Sequence, residues 1–246
     1  MQVRVCSSAK EIGIEAARQG ASIISRAVRR RGCADIVLAT GVSQFAVLEN
    51  LVQASDVEWS KVCGFHLDEY VGLAASHPAS FRRYLRERFV DRVPIGEFHY
   101  INAEGDPRTE CKRLGRLIKN HPVDVAFVGI GENGHLAFND PPADFDTRDA
   151  YIVVELDEKC RMQQVGEGWF KSIDEVPRLA VSMSIAQIMK AGHIICSCPE
   201  KRKAPAVKRC LEGLVSNLAP ASVLQTHEHA MVYLDPESAS LLEKKY

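Results

Sequence analysis

Val123-Asp124-Val125-Ala126-Phe127-Val128-Gly129-Ile130-Gly131-Glu132-Asn133-Gly134-His135 starts as a nearly continuous apolar run and breaks into a loop with three glycines within six residues. Apolar residues on consecutive positions, over so short a length, fit a strand buried on both faces. The pattern recurs outward in both directions. Ile36-Val37-Leu38-Ala39, Val62-Cys63-Gly64-Phe65 and Phe98-His99-Tyr100-Ile101 precede it. Tyr151-Ile152-Val153-Val154, Leu179-Ala180-Val181, Ile194-Ile195-Cys196 and Ala230-Met231-Val232-Tyr233 follow. Helical patterns lie between several of these runs, near residues 43–53, 78–90, 106–119, 184–191 and 200–213. At the front, Ser8-Ala9-Lys10-Glu11 matches a capping box, and Gly32 closes the helix that it opens. Strands apolar on both faces and separated by helices predict an α/β fold: a doubly wound, mostly parallel, Rossmann-like sheet with helices on both faces. No linker divides the chain and no repeat is visible, so one domain over 1–246 is expected.

Composition narrows the function classes. The chain has 246 residues, 31 Lys+Arg against 32 Asp+Glu, and a net charge of −1, which leaves no footprint for nucleic acid or an anionic membrane surface. No segment approaches the ~20 apolar residues of a membrane span, and the first residues lack a signal-peptide pattern, so a cytoplasmic protein is expected. The eight cysteines include no Cys-x-x-Cys pair and no histidine pair at zinc spacing. They read as reduced, mostly buried thiols, with no metal expected.

In doubly wound folds ligands sit beyond the carboxyl ends of the strands, and three such ends carry chemistry. Thr40-Gly41-Val42-Ser43-Gln44 joins a strand to a helix with a glycine turn and hydroxyls, a combination suited to a phosphate but not a Walker loop. Asp68-Glu69 ends another strand with two acids. Because neighbours on a strand face opposite sides, one of the pair would face a substrate as a general base. The third end is the glycine loop itself, where backbone can approach a ligand closely and His135 follows Gly134, with Asp140 five residues on. Gly129, Gly131 and Gly134 match Gly-x-Gly-x-x-Gly, yet no acidic partner ends a matching next strand, so a nicotinamide cofactor is discounted.

Together these stretches resemble a known family. Asp68-Glu69-Tyr70-Val71-Gly72-Leu73 with His77-Pro78-x-Ser80-Phe81, and Gly129 through Asn139, are similar to the two signatures of the glucosamine-6-phosphate deaminase (isomerase) family. Thr40-Gly41, Lys203, Glu212-Gly213 and Ser222-x-Leu224-Gln225-x-His227 fall in the family's order, so the resemblance spans roughly residues 35–237. It implies ring opening of a 2-amino-2-deoxy sugar 6-phosphate, aldose–ketose isomerisation and release of ammonia, with no cofactor. It further implies Asp68 as the base between C2 and C1, and His135 as the acid/base for ring opening. Asp140 and Asn133 would orient His135. Thr40, Gly41, Ser43, Gly134 and Lys203 would hold the substrate, mainly its phosphate.

Departures from the family pattern carry expectations of their own. Asp140 stands where many members have Glu, so its contact with His135 is expected to run through backbone or water. Gln44 stands where the phosphate turn usually has Pro. Ala143, Ala150 and Ile152 fall where hexameric bacterial members bind an allosteric effector, which implies no such activation. Residues 157–173 read as a polar, loop-like lid. Arg161 is its candidate substrate contact, and Gln163 and Gln164 are candidates for sugar hydroxyls. Two alternatives remain: a 6-phosphogluconolactonase-like hydrolase and a non-catalytic sugar-phosphate sensor. Association into a homo-oligomer is compatible with the sequence.

Overall fold

Consecutive side chains on a strand point to opposite faces, and β2 shows what that does here. Within β2 (Ala34–Leu38), Ile36 and Leu38 join one buried cluster with residues such as Ile12, Ala16, Val47 and Leu48, whereas Val37 joins a second cluster on the other face. The computed structural model describes residues 1–245; Tyr246, the last residue of the expected domain, lies outside the described residues. In chain order the elements are β1 (Gln2–Val5), α1 (Ala9–Arg31), β2, α2 (Phe45–Leu51), β3 (Val62–His66), β4 (Asp68–Tyr70), α3 (Phe81–Arg88), β5 (Glu97–His99), α4 (Pro107–Ile118), β6 (Val125–Val128), β7 (Tyr151–Glu155), α5 (Glu158–Gly166), β8 (Leu179–Met183), α6 (Ile185–Ile188), β9 (His193–Cys198), α7 (Ala204–Glu212) and β10 (Ala230–Leu234).

Seven strands form a parallel sheet in the order β1-β10-β9-β6-β2-β3-β5. The chain winds from β2 outward through β3 to β5, then crosses to β6 on the other side of β2. The switch point therefore lies between β2 and β6, where a doubly wound sheet opens a crevice at its carboxyl edge. Helices cover both faces. Ile12, Ala16, Val47, Leu48, Tyr84 and Leu85 pack from α1, α2 and α3 on one side. Leu114, Ile118, Ile188, Val207 and Leu211 pack from α4, α6 and α7 on the other.

The capping box at the front forms with a shift. Ser8 accepts from the Glu11 N–H, but the Glu11 carboxylate reaches back to Ser7, one residue earlier than the pattern implies. Two expectations need correction, and one strand was not foreseen. Gln2–Val5 forms an edge strand, which its alternating polar residues had concealed. The runs at Tyr151 and Leu179 do not enter the main sheet; β8 pairs antiparallel with β4 on one side and β7 on the other in a separate three-stranded sheet. The expected loop-like lid contains helix α5, capped by Asp157, which accepts from the Cys160 N–H.

Candidate active site

Four strand ends of the parallel sheet converge on one pocket, as the switch point requires. Its lining takes Thr40, Gly41 and Ser43 after β2, Asp68 after β3, Gly129, Gly131 and His135 after β6, and Glu200, Arg202 and Lys203 after β9. Helix α5 and its exit close it with Gln163, Gln164 and Glu167. About 620 Å³ of empty space, partly open to solvent, lies between them.

The two acids that open β4, just beyond the end of β3, separate as strand alternation demands. Glu69 turns away from the pocket and accepts from Ser80 Oγ and the N–H groups of Tyr70, Phe81 and Arg82, so it anchors the start of α3. Asp68 turns to the pocket. Only 6% of the residue is exposed, and its Oδ1 is buried with no hydrogen-bond partner. Burial, and then the neighbouring Glu69, push its carboxyl up to about 8. A carboxylate held this way binds a proton readily at neutral pH, the property required of a base that carries a proton between two atoms.

His135 lies across the same pocket. Its Nδ1 is 2.9 Å from Asp140 Oδ1, a direct contact in place of the backbone or water link expected for the shorter acid. Asn133 Nδ2 donates to the same oxygen at 2.9 Å, and Asn133 Oδ1 accepts from the His135 N–H. The Asp157 N–H donates to Asp140 Oδ2, so the first turn of α5 is tied to this cluster. Burial by itself would raise Asp140, but its hydrogen bonds from His135, Asn133 and Asp157 outweigh that and leave its carboxyl below the usual range. Asp140 and Asn133 stand behind the imidazole, outside the lining, where they can orient His135. Gly131 supplies the space for the ring, because a Cβ there would sit 2.2 Å from His135 Nε2.

On the opposite wall, Gly41 takes φ 92° at the head of a helical turn over Val42–Gln44, whose Gln44 N–H bonds back to Gly41 O and whose first N–H groups lack intrahelical partners. Gln44, in the position usual for Pro, is buried and donates to Ser43 Oγ and Val128 O, pinning the turn of β2 to β6. Lys203 is 5% exposed and belongs to none of the ion pairs among the described residues. A buried, unpaired ammonium beside a glycine turn is a strong attractant for an anion.

Two expected contacts are not placed at the pocket. Arg161 points away from it and donates to the carbonyls of Ile173 and Val176, holding down the segment after the lid helix. Gly134 faces α7, where a side chain would meet Arg209 and Cys210. Gln163 and Gln164 do line the pocket, though their side chains are already engaged: Gln164 accepts from Tyr70 Oη, and Gln163 links the Glu132 N–H to Glu167. The arginine at the pocket is Arg202, which sequence reading passed over in favour of its neighbour Lys203. It pairs with Glu132 at 2.9 Å and Glu167 at 3.3 Å, and also with Glu200. The run Lys201-Arg202-Lys203 after an apolar strand was the signal available for it.

Comparison with known proteins bears on this arrangement directly. The family model for glucosamine-6-phosphate isomerases/6-phosphogluconolactonase matches residues 7–233. The chain belongs to this family. A relative named glucosamine-6-phosphate deaminase from Oenococcus oeni is 37% identical over 233 residues, 94% of this chain and 96% of its own length. A solved structure of a monomeric glucosamine-6-phosphate deaminase superposes with a TM-score of 0.88 at 33% identity, covering 98% of this chain and all of its own. A 6-phosphogluconolactonase from Shewanella baltica superposes at 0.80, with 19% identity over 96% of this chain and 97% of its own, and shares the fold alone. Among the described residues no helix is long and apolar enough to cross a membrane.

Proposed function

We propose that the chain deaminates a 2-amino-2-deoxy sugar 6-phosphate, converting glucosamine 6-phosphate to fructose 6-phosphate and ammonia. The observation that carries this reading is the placement of Asp68, a buried acid with an unpartnered oxygen facing the pocket that also holds His135 and Lys203. Names carried by relatives as similar as 37% over nearly the whole chain support the substrate class. The lactonase alternative is less supported, since lactonase structures match at 19% identity and share only the fold.

Each residue takes a role from its position. The 6-phosphate sits against the Thr40-Gly41-Ser43 turn, held by N–H and hydroxyl donors and by the Lys203 charge. His135 Nε2, free because Nδ1 is committed to Asp140, passes a proton between the ring oxygen and the anomeric hydroxyl as the ring opens. Asp68 then takes the proton from C2 and returns it to C1, while the C1 oxygen gains a proton and the C2 amine gives one up, so the C1 carbonyl becomes a hydroxyl and an imine is left at C2. Water adds to that imine and ammonia leaves, giving the ketose. His135 and Asp68 account for the ring-opening and C2-to-C1 transfers, and these roles fit a reaction with no cofactor.

Ammonia release from glucosamine 6-phosphate tests the reading, with galactosamine 6-phosphate and 6-phosphogluconolactone assayed in parallel. Hyperbolic ammonia release unchanged by N-acetylglucosamine 6-phosphate is the expected outcome. Ala143 is buried in the core and neither Ala150 nor Ile152 carries charge, so the three positions offer no cation to an effector phosphate. Lactone hydrolysis without ammonia would replace the reading, and sigmoidal kinetics relieved by the acetylated sugar would restore an effector site.

A further inference from the structure

Away from the pocket, near the amino ends of β2, β3 and β6, the topology gathers a second group of reactive side chains. Asp35 and Cys63 are the second residues of β2 and β3 and are direct partners in the parallel register. Glu97 is the register partner of Cys63 on its other side, and His99 pairs with Phe65, two residues along. Side chains at directly paired and i+2 positions share a face of the sheet, so all four stand together. His121, in the connection between α4 and β6, reaches over the same face.

We propose that Cys63, His99 and His121 bind a divalent transition-metal ion of the zinc type, with a fourth position open to solvent. The ligand atoms of these three residues already lie within 4.8 Å of one another. One thiolate and two imidazoles form a donor set that zinc favours, and three protein ligands plus water is a common zinc arrangement.

Two further observations point to an ion. His99 is nine-tenths buried, and its Nε2 has no hydrogen-bond partner; Glu97 Oε1 lies 3.4 Å away but is not placed to bond it. An orphaned buried ring nitrogen is costly unless something occupies its lone pair. His121 Nδ1 is 2.7 Å from Asp35 Oδ1, which fixes the ring and leaves Nε2 to act as donor. A carboxylate behind a ligating histidine is the usual outer support of such sites. Capture of an ion requires Cys63 as thiolate and both imidazoles neutral, so it releases the thiol proton. Cys63 and His121 are only partly buried, which gives an ion a way in.

Sequence spacing could not reveal this site, because its ligands come from a strand at residue 63, a strand at 99 and a connection at 121. A bound ion would link edge strand β5, its neighbour β3 and the entry to β6. Cys63 and His121 stand at the amino ends of β3 and β6, with His99 as the last residue of the short β5, whereas the pocket is built beyond the carboxyl ends of β2, β3, β6 and β9.

The test is a cobalt(II) titration of the full-length protein after treatment with EDTA, followed by displacement with zinc. Wild type is expected to show thiolate-to-cobalt charge-transfer absorption together with tetrahedral d–d bands, both removed by zinc. Cys63→Ser should lose the charge-transfer absorption, and His121→Gln should weaken binding by about 100-fold. Asp35→Asn, which removes the charged support of His121 along with a 3.9 Å pairing to Arg31, should weaken it by about 10–100-fold. Zinc should raise the melting temperature of wild type and not of Cys63→Ser. Circular dichroism in EDTA checks that each variant folds. Absorption that survives Cys63→Ser, cobalt binding without a thiolate band, or affinity unchanged in His121→Gln would each overturn the proposal.

Discussion

Asp68 and Glu69 are chemically alike and adjacent, yet one has four hydrogen-bond donors around it and the other an unpartnered oxygen. Alternation along the strand decides which is which, and the sequence carried that much. The family resemblance named Asp68, whereas the residue pattern by itself could not say which acid faced inward, because that depends on α3 presenting its N–H groups to Glu69. The burial of Asp68 has a consequence for stability with a definite sign. Its carboxyl is raised from 3.8 to about 8, so between those values the folded chain holds a proton that the unfolded chain has released. Stability contributed by this group is full below pH 3.8 and declines as pH rises toward about 8. Asp68→Asn removes the decline, so its melting temperature should gain on wild type as pH is raised from 5 to 8. Its turnover should fall by about 10²–10⁴ while phosphosugar binding stays within a few-fold. Calorimetry against pH and steady-state kinetics check the two arms. A variant with wild-type turnover would remove Asp68 from the chemistry.

At the scale of elements, α5 was the hardest to read. Its sequence, Glu158-Lys159-Cys160-Arg161-Met162-Gln163-Gln164-Val165-Gly166, is polar on most sides and ends in glycine, so no apolar stripe marks it as a helix. Tertiary contacts hold it instead. Asp157 accepts from Asn133 Nδ2, Glu167 pairs with Arg202, and Trp169 packs edge-on against Phe45 and Tyr84. Arg161 fastens the segment beyond it through the carbonyls of Ile173 and Val176. The lid is thus tied at one end to the His135 cluster and at the other to the cation beside Lys203. Arg161 and Lys203 should consequently behave differently when removed. Arg161→Ala loosens the lid segment and should raise KM several-fold for glucosamine 6-phosphate and free glucosamine alike. Lys203→Ala should raise KM about 10–100-fold for the phosphorylated sugar alone, the worth of one lost charge-assisted hydrogen bond. A selective phosphate effect in Arg161→Ala would return it to the pocket.

Across the whole molecule, the parallel sheet was legible because buried parallel strands are apolar on consecutive positions, a signal carried by each strand alone. The small antiparallel sheet was not. Its strand β4 is Asp68-Glu69-Tyr70, three residues chosen by the site, and its partners Ala180–Ser182 lie more than a hundred residues away. β7 and β8 read like the other strands because they too are partly covered, and pairing direction leaves no mark on composition. The separate sheet does not make a separate folding unit. Tyr151, Val181 and Met183 from it share one buried cluster with Val37, Phe65, Val128 and Ile194 of the large sheet. The Tyr151 hydroxyl donates to the His66 carbonyl, and the Met183 N–H donates to the Leu67 carbonyl, so the two sheets also join at the strand end that carries Asp68. We infer that the chain unfolds as one domain. Scanning calorimetry should give a single transition whose calorimetric and van't Hoff enthalpies agree. An early transition ascribable to β4, β7 and β8 would instead mean that the base is carried on a part able to open alone, and pocket and fold would have to be treated as separate stability problems.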